Sequence, residues 1–385
     1  MTKLSRLTYS LGATLFCYGV VVFMFGPCLT AMADTFVVRL GALGLLFTFY
    51  SVGLIPSVLL NGYLSEVIGR RFILLAAVLA MGGGCALFAA STAIGPRPSF
   101  PLALAFVVLL GFGGGGVEVL TNVVIAADNQ PKPAFALNVT HAFFAAGAVL
   151  GPLGASALLR ADLPWQWAFF GASVPFAFLF ALLWRQQLPA AVEAPFPPGA
   201  ALGLLRSRLL WVLLAVISLY VGAEVGLCAW VSPFMERVLR SPRGAAGMSV
   251  SLFWAVMIVG RLAVGPLAVR FRPPPLLLVL SLGSAAAAIG VAFSHTIAGC
   301  LAATGIAGLF MSGVFGLALT DAARHFPERL GAVFGLMMAG VGLGSLVVPA
   351  AMGLAADVVG LRTAMLLPSG LMAVVAVIYV VRWSE

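Results

Sequence analysis

Glu118 and Glu224 each interrupt a long apolar run of this chain, as do Asn122, Asn138, His141 and Arg261. A carboxylate taken out of water costs several kcal/mol unless it is paired or takes up a proton. An acid in such a place therefore reads as a proton carrier, or as one end of a hydrogen bond to a neighbouring helix. Glu118 lies about eight residues, or ~12 Å of helix, from the nearer end of its run. Gly111, Gly115, Glu118 and Asn122 share one helical face, and the glycines let another helix or a ligand come close. Asn138 and His141 share a face of the following run; if the two runs pair antiparallel, the four polar side chains meet at one depth. Histidine titrates near neutrality and suits a proton relay, while the asparagines offer donors and acceptors to a polar solute or to an adjoining helix. Glu224 sits roughly sixteen residues into its run, between Gly222 and Gly226. Tyr220 and Trp230 beside it supply aromatic faces suited to a sugar ring or an apolar ligand, or to packing. Arg261 keeps its charge and needs an acid, a carbonyl or an anionic ligand. Glu224 is a possible partner, at a depth that helical rise places ~10 Å away.

The elements that must position these groups follow from composition. Of 385 residues, 62% are apolar and 9% are charged. About 20 apolar helical residues cross a bilayer core of ~30 Å, and in lipid the backbone must satisfy itself, as helices or a closed barrel. The runs are continuous rather than alternating, as in Leu74–Ala90 and Leu366–Val381, so helices are expected and a barrel is not. Twelve spans are expected, near 8–32, 40–64, 72–94, 101–126, 135–158, 166–187, 209–235, 246–269, 275–294, 297–321, 330–355 and 362–382. The net charge of +9 belongs to topology rather than to nucleic acid. With the N-terminus inside, thirteen Lys/Arg fall on the cytoplasmic side and seven outside, with Arg261 within a span. That asymmetry places both termini in the cytoplasm of a plasma, or bacterial inner, membrane; the outer cluster Arg237, Arg240, Arg243 is the exception. Lys3, Arg6 and the sequence Ala31-Met32-Ala33 mimic a signal peptide, but the apolar run between them is too long for one. The five cysteines sit inside apolar runs without metal-like spacing and read as small buried hydrophobes. Three scattered histidines likewise suggest no metal and no lipid-modifying enzyme, and Gly113–Gly116 lacks the Lys-Ser/Thr of a phosphate loop.

The stretch from Pro189 to Gly199 breaks helices and divides the spans six and six. Three parts are therefore expected: a bundle over 1–188, a cytoplasmic linker over 189–207 and a bundle over 208–385. The halves echo one another. Gly62-Tyr-Leu-Ser-Glu66-Val-Ile-Gly69-Arg70-Arg71 follows the second span, and Gly265-Pro-Leu-Ala-Val-Arg270-Phe-Arg272 follows the eighth. Gly147-Ala-Val-Leu-Gly151-Pro152 on the fifth span has its counterpart in Gly340-Val-Gly-Leu-Gly344 and Pro349 on the eleventh. Internal repeats around a midplane site are a mark of transporters.

The segment Gly62–Arg71 resembles the loop signature of the major facilitator superfamily, with Glu66 in its acidic place, and the twelve-span layout is similar over the whole chain. The second copy has Val269 where the acid stands and lacks the second glycine. Glu118-x-x-x-Asn122, Asn138-x-x-His141 and Tyr220-x-x-x-Glu224 further resemble the fucose permease group of sugar–proton symporters. The resemblance implies an all-α membrane protein of two pseudo-symmetric six-helix bundles that works by alternating access. It implies proton coupling at Glu118 and a small sugar-like solute; the residues themselves add Glu224 and His141 as further proton sites and Asn122, Asn138, Tyr220, Trp230 and Arg261 as contacts to the solute. In that group an acid is also expected on the first span; here the first acid, Asp34, lies at its outer end. Glu66, Arg70 and Arg71 would form a cytoplasmic gate, with Asp128, Asp321, Arg324 and Glu328 as partners. No cofactor is expected; a proton gradient would drive a monomer in contact with lipid and solute, without nucleic acid. Gly147-x-x-x-Gly151-Pro152 resembles a motif associated with exporters, which keeps proton-driven export of amphipathic compounds as the alternative.

Overall fold

The computed structural model describes residues 4–129, 133–189, 204, 206–242, 244–326 and 330–384. Among these, twelve helices are long and apolar enough to cross a membrane: Arg6–Phe23, Leu40–Leu64, Val67–Ala90, Phe100–Asp128, Phe135–Arg160, Gln166–Trp184, Arg208–Arg237, Met248–Leu267, Pro273–Ala292, Ile297–His325, Gly335–Val359 and Leu361–Val381. They are referred to below as the first to twelfth spans. Their residues are apolar with few charges, so lipid accommodates their outer faces and the helix satisfies its own backbone. Hydroxyls along them return to carbonyls one turn back, as Thr14 to Ser10 at 2.9 Å and Thr304 to Cys300 at 2.8 Å. Side chains such as Phe178, Leu262 and Val358 remain exposed, as a lipid-facing surface requires.

The chain divides into two compact units. The first comprises Met1–Val38 and Phe49–Pro195, the second Arg39–Thr48 and Phe196–Glu385. Most of the expected linker lies outside the described residues. In the first unit, span one packs along spans four, five and six, and span three along four and six. In the second unit, span seven packs along eleven and twelve, span nine along ten and twelve, and span eight along ten. Four of these pairings recur six spans later: one–five as seven–eleven, three–four as nine–ten, three–six as nine–twelve, and one–six as seven–twelve. The start of the second span belongs to the second unit: Thr48 Oγ1 donates to the Leu346 carbonyl at 2.8 Å, and the Gly41 N–H to Asp357 at 3.2 Å.

Two spans are each built of two helices. The first helix ends at Phe23 and a second, Phe25–Phe36, continues it. Pro27 in the new first turn lacks an N–H, so it cannot extend the earlier ladder. The tenth span is likewise two helices, Ile297–Met311 and Val314–His325. The loop signature contains a single wide turn, Ser65–Gly69, before the third span. Gly69 has φ +114°, a conformation that a side chain would strain, so the glycine of the signature is required by the backbone.

Candidate functional site

In the first unit, Glu118 is half-buried on the fourth span. Its Oε2 accepts a hydrogen bond from the Tyr18 hydroxyl of the first span at 3.2 Å. Tyr50 of the second span lies beside Tyr18, within electrostatic reach of Glu118. Gly114 makes this possible: a Cβ there would meet Tyr18 at 3.0 Å and the Tyr50 hydroxyl closer still. Among the described residues no cation forms an ion pair with Glu118, and Tyr18 is the one side chain that donates to it. The carboxylate is thus held by a neutral phenol and remains partly accessible.

One turn on, Asn122 donates to the Glu118 carbonyl at 2.8 Å and presents its Oδ1 to His141 Nε2 at 3.0 Å. An amide oxygen only accepts, so this contact calls for a proton on Nε2. Asn138 and His141 are both exposed on the fifth span. Gly111 and Gly115, which share the Glu118 face, receive the second span. A Cβ on Gly111 would fall against the Tyr50 carbonyl, and one on Gly115 would lie 2.8 Å from that of Leu54. These glycines therefore admit a helix. Tyr18 and Tyr50 are site residues that the sequence reading missed, since their immediate neighbours in the apolar runs do not set them apart. Tyr18→Phe removes the donor from Glu118 and is expected to lower stability by about 1 kcal/mol, up to ~3 if the carboxylate is left unsatisfied. A variant that melts with the wild type would show that the contact carries nothing.

In the second unit, Glu224 is buried on the seventh span, within electrostatic reach of Tyr220 one turn before it and of Arg261 on the eighth. Among the described residues Glu224 and Arg261 form no ion pair. The Arg261 guanidinium lies over the Trp254 ring, 5.7 Å from its centroid, and reaches Met257 Sδ at 3.5 Å. Trp230 is fully buried and donates its indole N–H to the Pro349 carbonyl at 2.9 Å. The indole thereby ties the seventh span to the eleventh at Pro349. Trp230→Phe is accordingly expected to lower the melting temperature by the loss of about 1 kcal/mol while leaving solute affinity unchanged. A raised KM without a stability change would place Trp230 at the solute instead.

The loop group behaves differently from its neighbours in sequence. Arg71 donates to the Trp184 carbonyl at the end of the sixth span and stacks on that ring, 5.6 Å from its centroid. The Glu66 side chain lies outside the described residues, as does Glu328. Arg70 begins the third-span helix beside Gly69. Asp128 accepts from Ser5 and from Thr8, the latter at 3.0 Å, which ties the fourth span to the start of the first. Asp321 is buried and lies 3.4 Å from His325. Gly147 and Gly151, on the fifth span, pack against the backbone of the first at Phe16 and Val20. Among the described residues no three His, Cys, Asp or Glu converge as a metal site.

Residues 11–300 and 231–384 match the sequence profile of the Major Facilitator Superfamily. Relatives named Protein TsgA, from Salmonella schwarzengrund and from Escherichia coli O157:H7, are 25% identical over 265 residues, which is 68% of this chain. The matched part is 63% of those relatives, so the alignment spans less than two thirds of their length. Among solved structures, a D-xylose–proton symporter superposes with a TM-score of 0.78 at 17% identity, covering 97% of this chain and 96% of its own. The nucleoside transporter NupG gives 0.83 at 11% identity, covering 98% and 99%. The Escherichia coli fucose–proton symporter gives 0.67 at 18% identity, covering 97% and 98%. At these identities the likeness is one of fold.

Proposed function

The chain belongs to the Major Facilitator Superfamily, and on that premise we propose that it is a secondary active transporter that moves a small, polar, sugar-like solute by proton-coupled symport. The observation that carries this reading is Glu118: a carboxylate well inside the fourth span, held by the neutral Tyr18 hydroxyl, half-accessible, and next to the Asn122–His141 pair. A carboxylate without a cationic partner at membrane depth is stabilised by binding a proton and can release it when its surroundings open to water. His141 and Glu224 are further proton sites in this reading, and Asn122, Asn138, Tyr220 and Arg261 offer contacts to the solute. Two solved neighbours are titled sugar–proton symporters, which supports the solute class without identifying it. The close seam that Gly147 and Gly151 make with the first span accounts for the motif that favoured export.

The protein acts as a monomer in the plasma membrane with both termini cytoplasmic, and the proton gradient replaces any cofactor. The test is uptake into proteoliposomes under an imposed pH gradient, with a panel of neutral sugars and sugar derivatives. Accumulation above equilibrium that collapses with a protonophore is expected. Equal uptake with and without the gradient would remove symport, and transport of no solute in the panel would remove the solute class.

A further inference from the structure

Arg261 is fourteenth in the helix Met248–Arg270, six residues from the end of the eighth span, or ~9 Å of helical rise. It is exposed at that depth. An exposed cation within a span faces either lipid, at high cost, or water. The helix resolves this choice. At ~100° per residue, Arg261 lies within ~20° of Trp254 and ~40° of Met257 around the helix axis, and both of those are buried inside the second unit. Val259 and Leu262, 61% and 75% exposed, mark the lipid-facing stripe, which lies ~100–160° away from Arg261. The guanidinium therefore occupies the inward face of the span and is accessible there, which requires that water, not lipid, reach it.

Its partners leave most of its capacity unused. The indole of Trp254 covers the guanidinium plane and the Met257 thioether takes one weak contact, whereas the group carries five N–H donors along its edges. Among the described residues no carboxylate makes an ion pair with it. A forked donor edge beside an aromatic wall matches a planar oxyanion attached to a small carbon skeleton. Glu224 within electrostatic reach disfavours a second negative charge, so a monoanion fits better than a phosphate dianion. We propose that Arg261, backed by Trp254, is the recognition point for a single carboxylate on the transported solute, so that the preferred solute is a monocarboxylate such as a sugar acid rather than a neutral sugar. This inference rests on the transporter reading for the site's purpose, but its chemistry can be tested separately.

The experiment is labelling of the purified full-length protein with phenylglyoxal, with modification of Arg261 followed by peptide mass spectrometry. Gluconate, glucuronate and lactate are the carboxylate probes; glucose and glycerol are the neutral controls, and inorganic phosphate is the dianion. Arg261 is expected to react, and saturating concentrations of at least one carboxylate should slow the reaction about fivefold, as occupancy well above Kd requires. Neutral controls and phosphate should have less effect. That same carboxylate should raise the melting temperature of the wild type and not of folded Arg261→Gln. An Arg261 that resists the reagent while exposed Arg272 reacts would overturn the inference, because the residue would then face lipid. Equal protection by charged and neutral probes, or none, would also overturn it. If proton-driven uptake of a neutral sugar persists unchanged in Arg261→Gln, the transporter reading stands and the carboxylate inference fails. If protection holds but no solute is ever accumulated, the binding site stands and the transporter reading fails.

Discussion

Glu118→Gln is expected to abolish accumulation driven by a pH gradient while leaving solute-for-solute exchange intact. One pH unit is worth ~1.4 kcal/mol per proton, so a symporter carrying one proton concentrates its solute up to about tenfold per unit of gradient. Glutamine has the shape of the protonated acid and retains an oxygen to accept from Tyr18, so the contact seen at 3.2 Å is preserved. What it lacks is the ability to lose and regain the proton. The variant should therefore reach an internal-to-external ratio near one at every imposed gradient, and still exchange labelled for unlabelled solute. The measurement is the steady-state ratio in proteoliposomes as a function of gradient, beside counterflow in the same preparation. A variant that still accumulates solute tenfold per unit would assign coupling elsewhere, and Glu224 would be the next carboxylate to replace. Loss of both accumulation and counterflow, in a protein that remains folded, would instead make Glu118 a solute ligand.

Much of the fold was legible because lipid imposes a simple rule. A run of about 20 apolar residues has few alternatives to a spanning helix, and the twelve expected spans match the twelve observed helices to within a few residues at most ends. The breaks were less legible, since Pro27 acts through its place in a first turn that composition does not fix. At the candidate site, the intramembrane charges announced themselves by cost: Glu118, Glu224 and Arg261 are conspicuous in an apolar chain. Their partners did not. Tyr18 is the clearest omission. Its signal was present in the repeat: Arg6-Leu7 opens the first helix and Arg208-Leu209 the seventh span, and each is followed at the same interval by a tyrosine, Tyr18 and Tyr220. Each of these tyrosines stands by the acid of its own unit. The acids themselves break the repeat, one on the fourth span and one on the seventh, so a search for matching acids would not have found the matching phenols.

Gly147→Val is expected to prevent the first unit from folding stably, whereas Gly154→Val, seven residues along the same helix, should be tolerated. A Cβ on Gly147 would fall against the Phe16 carbonyl and lie 3.0 Å from the Val20 nitrogen, and Gly19 of the first span is held equally tightly by the backbone at Phe144 and Ala148. These are main-chain atoms of two long helices, which cannot turn aside as a side chain can. Overpacking of side chains costs ~1–3 kcal/mol, and a clash with backbone that must separate two spans should exceed the upper figure. A Cβ on Gly154 meets nothing within 4 Å, so valine there faces open space. The check is the thermal unfolding of both variants in detergent, with the monodisperse yield as a second readout. Wild-type melting of Gly147→Val would mean that the first and fifth spans can part without cost, and the seam would then be free to move during transport. The corresponding seam of the second unit gives an independent test: Gly344 lies against the Ser218 carbonyl and 2.8 Å from the Gly222 nitrogen. Gly147 and Gly344 each stand five residues before a proline, Pro152 and Pro349. Gly344→Val should therefore fail as Gly147→Val does, because the repeat preserves a seam in which backbone meets backbone.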